Sequence, residues 1–153
     1  CVATELYSGR LHVFESGSAA LAIQASSTIP SIFRPVKHDG MLFVDGGCLC
    51  RVPVKTVKEM GADVVVAVDV LKNTAEPVEK LPNIFSMIMR LFDVMDNNQT
   101  SLTRCVEKDL CDLLVTPEIF GMNQYVIKNL DKAYDEGYEE GKKHVSEIRE
   151  LLK

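Results

Sequence analysis

The stretch LFVDGG, residues 42–47, constrains the fold of this chain more than any other. Leu42, Phe43 and Val44 read as a short buried strand, too apolar for a surface loop. Asp45 falls where that strand stops, and Gly46-Gly47 let the backbone turn sharply with no Cβ in the way. A carboxylate at a strand end beside a glycine turn is one way to hold a catalytic acid over a cleft. The commoner role of such an acid is to cap the turn by accepting from backbone N–H groups. Taken alone, the motif reads as the second; its neighbours decide the matter.

Upstream, CVATEL (1–6) and LHVFES (11–16) predict the two strands of a hairpin that turns at Ser8-Gly9. Ser18 predicts the N-cap of a helix over AALAIQA, which ends in SSTIP at 26–30 because Pro30 cannot continue it. Lys37–Gly40 is a polar turn into the Asp45 strand. Downstream, CLCRVPV (48–54) predicts extended chain, with Pro53 opening the helix VKTVKEMG and Gly61 as its C-cap. DVVVAVDV (63–70) is a continuous β-branched run, the signature of a central strand covered on both faces. Strand, helix and buried strand in that order imply a crossover unit in an α/β layered fold. A polar loop at 71–80 precedes a helix from Pro82 to Met95; NNQT at 97–100 predicts a break, and Ser101–Leu110 a second helix. DLLVTPE (112–118) predicts a strand ended by Pro117. Lys128–Lys153 reads as one long charged helix with an apolar stripe of Leu130, Ala133, Tyr134 and Tyr138, weakened by Gly137 and Gly141.

The 153 residues are enough for one sizeable core and predict a single domain over 1–153. A net charge of −5 without a basic run argues against nucleic acid as a partner. The longest lipophilic segment, 84–95, is interrupted by Arg90 and Asp93 and is too short to span a membrane. Its Met87, Met89 and Met95, among Ile84, Phe85, Ile88, Leu91 and Phe92, suit an acyl-chain wall or a peripheral contact with lipid. A core helix or an interface between copies in a homo-oligomer is the commoner use of such a segment. Five cysteines without a regular framework read as reduced thiols in a cytoplasmic setting. A strand that begins at Cys1, with no signal-peptide pattern before it, implies further chain upstream.

As a set, these stretches resemble the patatin-like phospholipase family. VATELYSGRLHVF (2–14) is similar to the hairpin ahead of that family's catalytic region, and AIQASSTIPSIFRPV (22–36) to its Ala-Ser-Ser-x-Ile-Pro segment. LFVDGG matches its Asp-Gly-Gly motif, and GADVVVAVDV (61–70) the buried strand that follows. DLLVTPEIFGMNQY and DKAYDEGYEEGKK resemble its closing strand and helix. The resemblance implies a three-layer α/β/α domain with a mostly parallel central sheet. It also implies a serine hydrolase with a Ser–Asp dyad acting on lipid or other acyl esters without metal or organic cofactor. Asp45 would be the dyad acid, and Gly46 and Gly47 the active-site turn. The family's nucleophile lies in G-x-S-x-G; here the only glycines four apart, Gly137 and Gly141, flank Glu139, and no glycine run supplies an oxyanion loop. On the resemblance both belong to an upstream part of the same domain. Residues 1–153 are then the C-terminal part, inactive by themselves and poorly stable alone.

Where the family commonly carries Asn-Pro after this motif, the chain has Cys50 and Arg51. That departure feeds the other reading, a non-catalytic relative serving as a binding or assembly module. Cys48 and Cys50, with Cys105, Cys111 and three scattered histidines, make no recognisable metal set and read as small core residues. Of His12, His38 and His144, only His38 lies near Asp45 in sequence. Ser26 and Ser27 follow a helix instead of opening one, which fits helix-end bonding better than nucleophilic attack. Asp69 ends a buried strand as a dinucleotide-binding acid does, but no glycine fingerprint accompanies it.

Overall fold

The computed structural model describes residues 1–70, 80, 83–119 and 130–153 of a mixed α/β chain. The predicted loop at 71–80 lies outside them except for Lys80, as do residues 120–129. The chain divides into two compact units, Cys1–Pro53 with Pro82–Ser101, and Val54–Leu81 with Leu102–Lys153.

The first unit is built on four strands, β1 (Val2–Glu5), β2 (Arg10–Val13), β3 (Val36–His38) and β4 (Met41–Asp45), in the order β2-β1-β4-β3. The predicted hairpin forms, with Val2 opposite Val13 and Glu5 opposite Arg10. Its turn is organised by the Glu5 carboxylate: Oε1 accepts from the Tyr7 amide at 2.9 Å and Oε2 from the Ser8 amide at 2.7 Å. The Ser8 hydroxyl and these amides hold the Glu5 carboxyl at a pKa of about 2. A longer 3.4 Å contact from the Leu42 amide ties the same group to β4.

β3 was not expected. Its pairing with β4, Val36 opposite Phe43 and His38 opposite Met41, leaves Asp39-Gly40 as a two-residue turn. Both turn residues have positive φ, 47° and 75°, the conformation that matches the twist of a tight hairpin. The sheet is antiparallel throughout, where a mostly parallel one was expected. The short connections between β1 and β2 and between β3 and β4 dictate this for those two pairs, because parallel neighbours need a crossover of a dozen residues or more. β1 and β4, joined by a longer stretch, also pair antiparallel.

One face of the sheet packs on helix α1 (Ala19–Ser26) through Ala3, Ala25, Val36 and Phe43, flanked by Phe14, Leu21 and Met41. Ser18 caps α1 as predicted, its Oγ accepting from the Leu21 amide at 3.3 Å. After β4 the chain does not run extended. Gly46–Cys48 form a 3-10 turn, and the Leu49 and Cys50 amides both donate to the Gly46 carbonyl, at 3.0 and 2.8 Å. Helix α3 (Ile84–Glu107) gives its residues through Ser101 to this unit and runs unbroken through the NNQT stretch. Asn97 is accommodated because its Nδ2 donates to the Asp93 carbonyl at 2.9 Å. Asn83 and Ser86 cap the start reciprocally, the Ser86 amide donating to Asn83 Oδ1 at 2.8 Å and the Asn83 amide to Ser86 Oγ at 3.1 Å.

In the second unit, α2 (Val54–Glu59) ends at Gly61 as predicted. Gly61, with φ +92°, donates to the Lys58 carbonyl at 3.0 Å and Ala62 to that of Val57 at 3.4 Å, a Schellman stop. β5 (Val66–Val68) and β6 (Leu113–Val115) pair in parallel. β5 is shorter than the predicted 63–70 run and is covered on one face only: Val65, Ala67 and Asp69 are buried, while Val66, Val68 and Val70 are exposed. The tail forms two helices, α4 (Leu130–Lys143) and α5 (Val145–Leu151). The break falls at His144, one turn after Gly141, where the His144 amide bonds back three residues to the Gly141 carbonyl. The predicted stripe is largely exposed at Leu130, Tyr134 and Tyr138; the two tyrosine rings stack at 6.1 Å, and Lys142 Nζ lies 4.4 Å from the Tyr138 centroid.

Candidate active site

Asp45 is the last residue of β4 and sits opposite Ala3 of β1. β3 stops at Val36, opposite Phe43, so Asp45 lies beyond its reach and needs other partners for its backbone. Its amide donates to the Thr28 carbonyl at 2.8 Å, and its carbonyl accepts from Thr4 Oγ1 at 2.9 Å. Both threonines are buried. Thr28 is itself fixed, its Oγ1 donating to the Gln24 carbonyl of α1 at 2.6 Å. The carboxylate is held as well, with Oδ1 accepting from the Gly47 amide at 2.8 Å. The turn-capping role is therefore real, and it also fixes the side chain in one orientation.

The two glycines make the sharp turn without positive φ, and the absence of a Cβ matters most at the first. Gly46 is needed for close approach: a Cβ there would lie 2.4 Å from the Val2 carbonyl oxygen and 2.8 Å from its carbon. At Gly47 the nearest atom to a Cβ would be Asp45 Oδ1, at 3.1 Å. The first glycine lets the turn press against β1, and the second brings its N–H under the carboxylate.

Burial raises the Asp45 pKa above the ordinary aspartate value, and the Gly47 amide and the Arg51 charge offset part of that rise. A fixed carboxylate with a raised pKa is a better proton acceptor than an ordinary surface aspartate. Arg51 Nη1 is buried. Cys48, three residues on, has its thiol pushed up by burial and by the Asp45 charge, so it stays protonated at neutral pH and is a poor nucleophile.

The other candidates are engaged elsewhere. Ser27 Oγ donates to the Ile23 carbonyl at 2.7 Å. His12 packs on Phe14 and Phe43, ring centroids 4.6 and 4.9 Å apart, and His38 Nε2 lies 3.3 Å from Asp39 Oδ2. In the second unit His144 lies between Glu140 and Glu147, and Asp69 is buried with its amide on the Val115 carbonyl. Among the described residues no group of three or more His, Cys, Asp or Glu is placed to hold a metal ion, and Cys1, Cys48 and Cys111 are free thiols. Within the N-terminal part of α3, Met89 is buried, while Ile84, Phe85, Met87, Leu91, Phe92, Val94 and Met95 are exposed. No helix among the described residues is long and apolar enough to cross a membrane. Thr4, Thr28 and Glu5 were missed by sequence reasoning, because a buried polar residue inside a strand or just past a helix carries no local signature of its partner.

The family model for patatin-like phospholipases matches residues 2–58, a stretch that contains β1 through β4, Asp45 and both glycines. The resemblance is thereby shown for the motifs within residues 2–58; those at 61–70, 112–125 and 131–143 lie beyond the match. Among relatives, NTE family proteins described as uncharacterized, from Mycobacterium bovis (strain ATCC BAA-935 / AF2122/97) and Mycobacterium tuberculosis (strain ATCC 25618 / H37Rv), are each 36% identical over 84 residues, 54% of this chain. Lysophospholipase NTE1 of Coccidioides immitis (strain RS) is 26% identical over 172 residues, 97% of this chain. The chain spans 23% of the length of the mycobacterial relatives and 11% of the fungal one.

Proposed function

We propose that this chain is the C-terminal part of a patatin-like lipid acyl hydrolase domain and that Asp45 is the acid of its Ser–Asp dyad. The observation that carries the proposal is the immobilised Asp45 carboxylate, fixed through backbone and side chain at a strand end inside the stretch matched by the family model. The serine comes from a G-x-S-x-G elbow in an upstream part of the same domain, which also completes a three-layer, mostly parallel sheet of which β5 and β6 are a parallel pair. As the serine oxygen attacks the ester carbonyl, Asp45 takes its proton. Asp45 returns that proton to the alcohol oxygen as the ester C–O bond breaks. The regenerated carboxylate then takes a proton from the water that attacks the acyl-enzyme and delivers it to the departing serine oxygen. Aspartate is a weaker base than histidine, so rigid placement and partial desolvation do more of the work.

Residues 1–153 alone are inactive in this proposal, and the parent acts in the cytoplasm without a cofactor. The lysophospholipase name of a relative that aligns with 97% of the chain favours lysophospholipid or related lipid esters as substrates. The exposed apolar residues of α3 offer a surface for lipid or for a second copy of the chain. Cys50 and Arg51, standing where the family commonly has Asn-Pro, favour the second reading, a non-catalytic relative serving as a binding or assembly module.

Labelling with a serine-directed fluorophosphonate, followed by peptide mapping of the full-length polypeptide, tests the proposal. An adduct on a serine outside residues 1–153 is expected. An adduct on a serine within them contradicts the assignment, and a full-length protein that hydrolyses no ester and takes up no probe favours the non-catalytic reading.

A further inference from the structure

We propose that Thr4 is a positioning residue for the Asp45 carboxylate, acting through the peptide that joins Asp45 to Gly46. The inference rests on the dyad reading above. The carbonyl of that peptide is the one that accepts from Thr4 Oγ1, at 2.9 Å. On its other side the peptide leads through Gly46 to the Gly47 amide, which meets Asp45 Oδ1 at 2.8 Å. The bond from Thr4 therefore fixes ψ of Asp45, and ψ of Asp45 sets where Gly46 and the Gly47 amide stand relative to the carboxylate.

Three features make the hydroxyl, rather than the bulk of Thr4, the determinant. Thr4 is buried on the central strand β1, with its backbone in register opposite Val44, so its side chain is supplied from a fixed base. The Asp45 amide is already secured to Thr28, leaving the carbonyl direction as the open variable. Gly46 is pressed against the Val2 carbonyl, so the turn has no room to settle in a second arrangement on that side. Loss of a buried hydroxyl donor leaves the Asp45 carbonyl to find another partner, and its peptide turns to do so. The reaction is sensitive to such a turn, because misplacement of a catalytic group by about 1 Å costs on the order of 100-fold in rate.

The test compares Thr4→Val, which keeps the shape without the donor, with Thr4→Ser, which keeps the donor, in the full-length polypeptide on a lysophospholipid substrate. Thermal midpoints are measured alongside. The expected result is a kcat about ten-fold or more lower in T4V, with KM within about two-fold, and recovery of most of the rate in T4S at a similar midpoint. A T4V kcat within two-fold of the parent overturns the inference, as does a T4S loss equal to that of T4V. Should T4V fail to fold, T4S carries the test alone: near-parental kcat supports the hydroxyl's role, and a deficit like that of an unfolded protein opposes it. Asp45→Asn is assayed in the same series. Retained activity there would fail the dyad reading itself, which separates that failure from the failure of the Thr4 inference.

Discussion

Gly46→Ala places a methyl group where the structure has no room. The new Cβ would lie 2.4 Å from the Val2 carbonyl oxygen, 2.8 Å from the carbonyl carbon and 3.0 Å from Val2 Cγ2. The first two atoms are backbone of β1, which is paired on both sides by β2 and β4 and has no free direction in which to retreat. Overpacking a fixed site costs about 1–3 kcal/mol, and contact with backbone puts this site at the upper end. Alanine lowers the entropy of the unfolded chain relative to glycine, which offsets about 0.4–1 kcal/mol. The net expectation is a loss of about 2 kcal/mol, or roughly 4–8 °C in midpoint for a protein of this size. Chemical and thermal denaturation followed by circular dichroism measure it, with an unchanged m-value as the sign that the folded state itself was destabilised. Gly47→Ala is the internal control, since its Cβ would meet only the Asp45 carboxylate oxygen, at 3.1 Å. A Gly46→Ala midpoint within about 1 °C of the parent, well below the worked shift, would refute the packing argument.

Glu5 sets an acid limb of stability. Its folded pKa of about 2 lies below the ordinary 4.5, so its contribution is present above about 4.5 and is lost as pH falls through about 2. Glu5→Gln is expected to be less stable at neutral pH and to lose this part of the acid dependence, as read from midpoints over that window. Arg51 holds the Asp45 pKa down, so Arg51→Gln raises it further. If Asp45 must be ionised to act as base, the acid limb of kcat/KM moves to higher pH in that variant. An unmoved limb would mean that another group governs it. Ser18→Ala removes the side chain that caps α1 and is expected to cost about 1 kcal/mol, measured by denaturant unfolding.

What could be read from the sequence was what is encoded locally. Asp45 at a strand end, the Ser18 cap, the Gly61 stop and the first hairpin all depend on residues within a few positions of one another, and the structure has them. β3 was missed although Asp39-Gly40 is a hairpin signal, because only three residues precede it in the strand. The break predicted at NNQT failed because Asn97 satisfies its side chain on its own helix. The mostly parallel sheet was an implication of the family resemblance; among the described strands only β5 and β6 pair in parallel, while the four strands of the first unit pair antiparallel. The hydrogen bonds from Thr4 and to Thr28 join residues 41 and 17 positions from Asp45 in the chain (45 − 4 and 45 − 28), and nothing local announces them.

The most direct measurement of the central claim is steady-state hydrolysis of a lysophospholipid by full-length protein carrying Asp45→Asn, beside its thermal midpoint. Asparagine keeps the shape and the acceptor for the Gly47 amide but cannot take a proton at neutral pH. The account predicts a fall in kcat of about 10²–10⁴-fold at an essentially unchanged midpoint. A folded Asp45→Asn protein that turns over at the parental rate would contradict it.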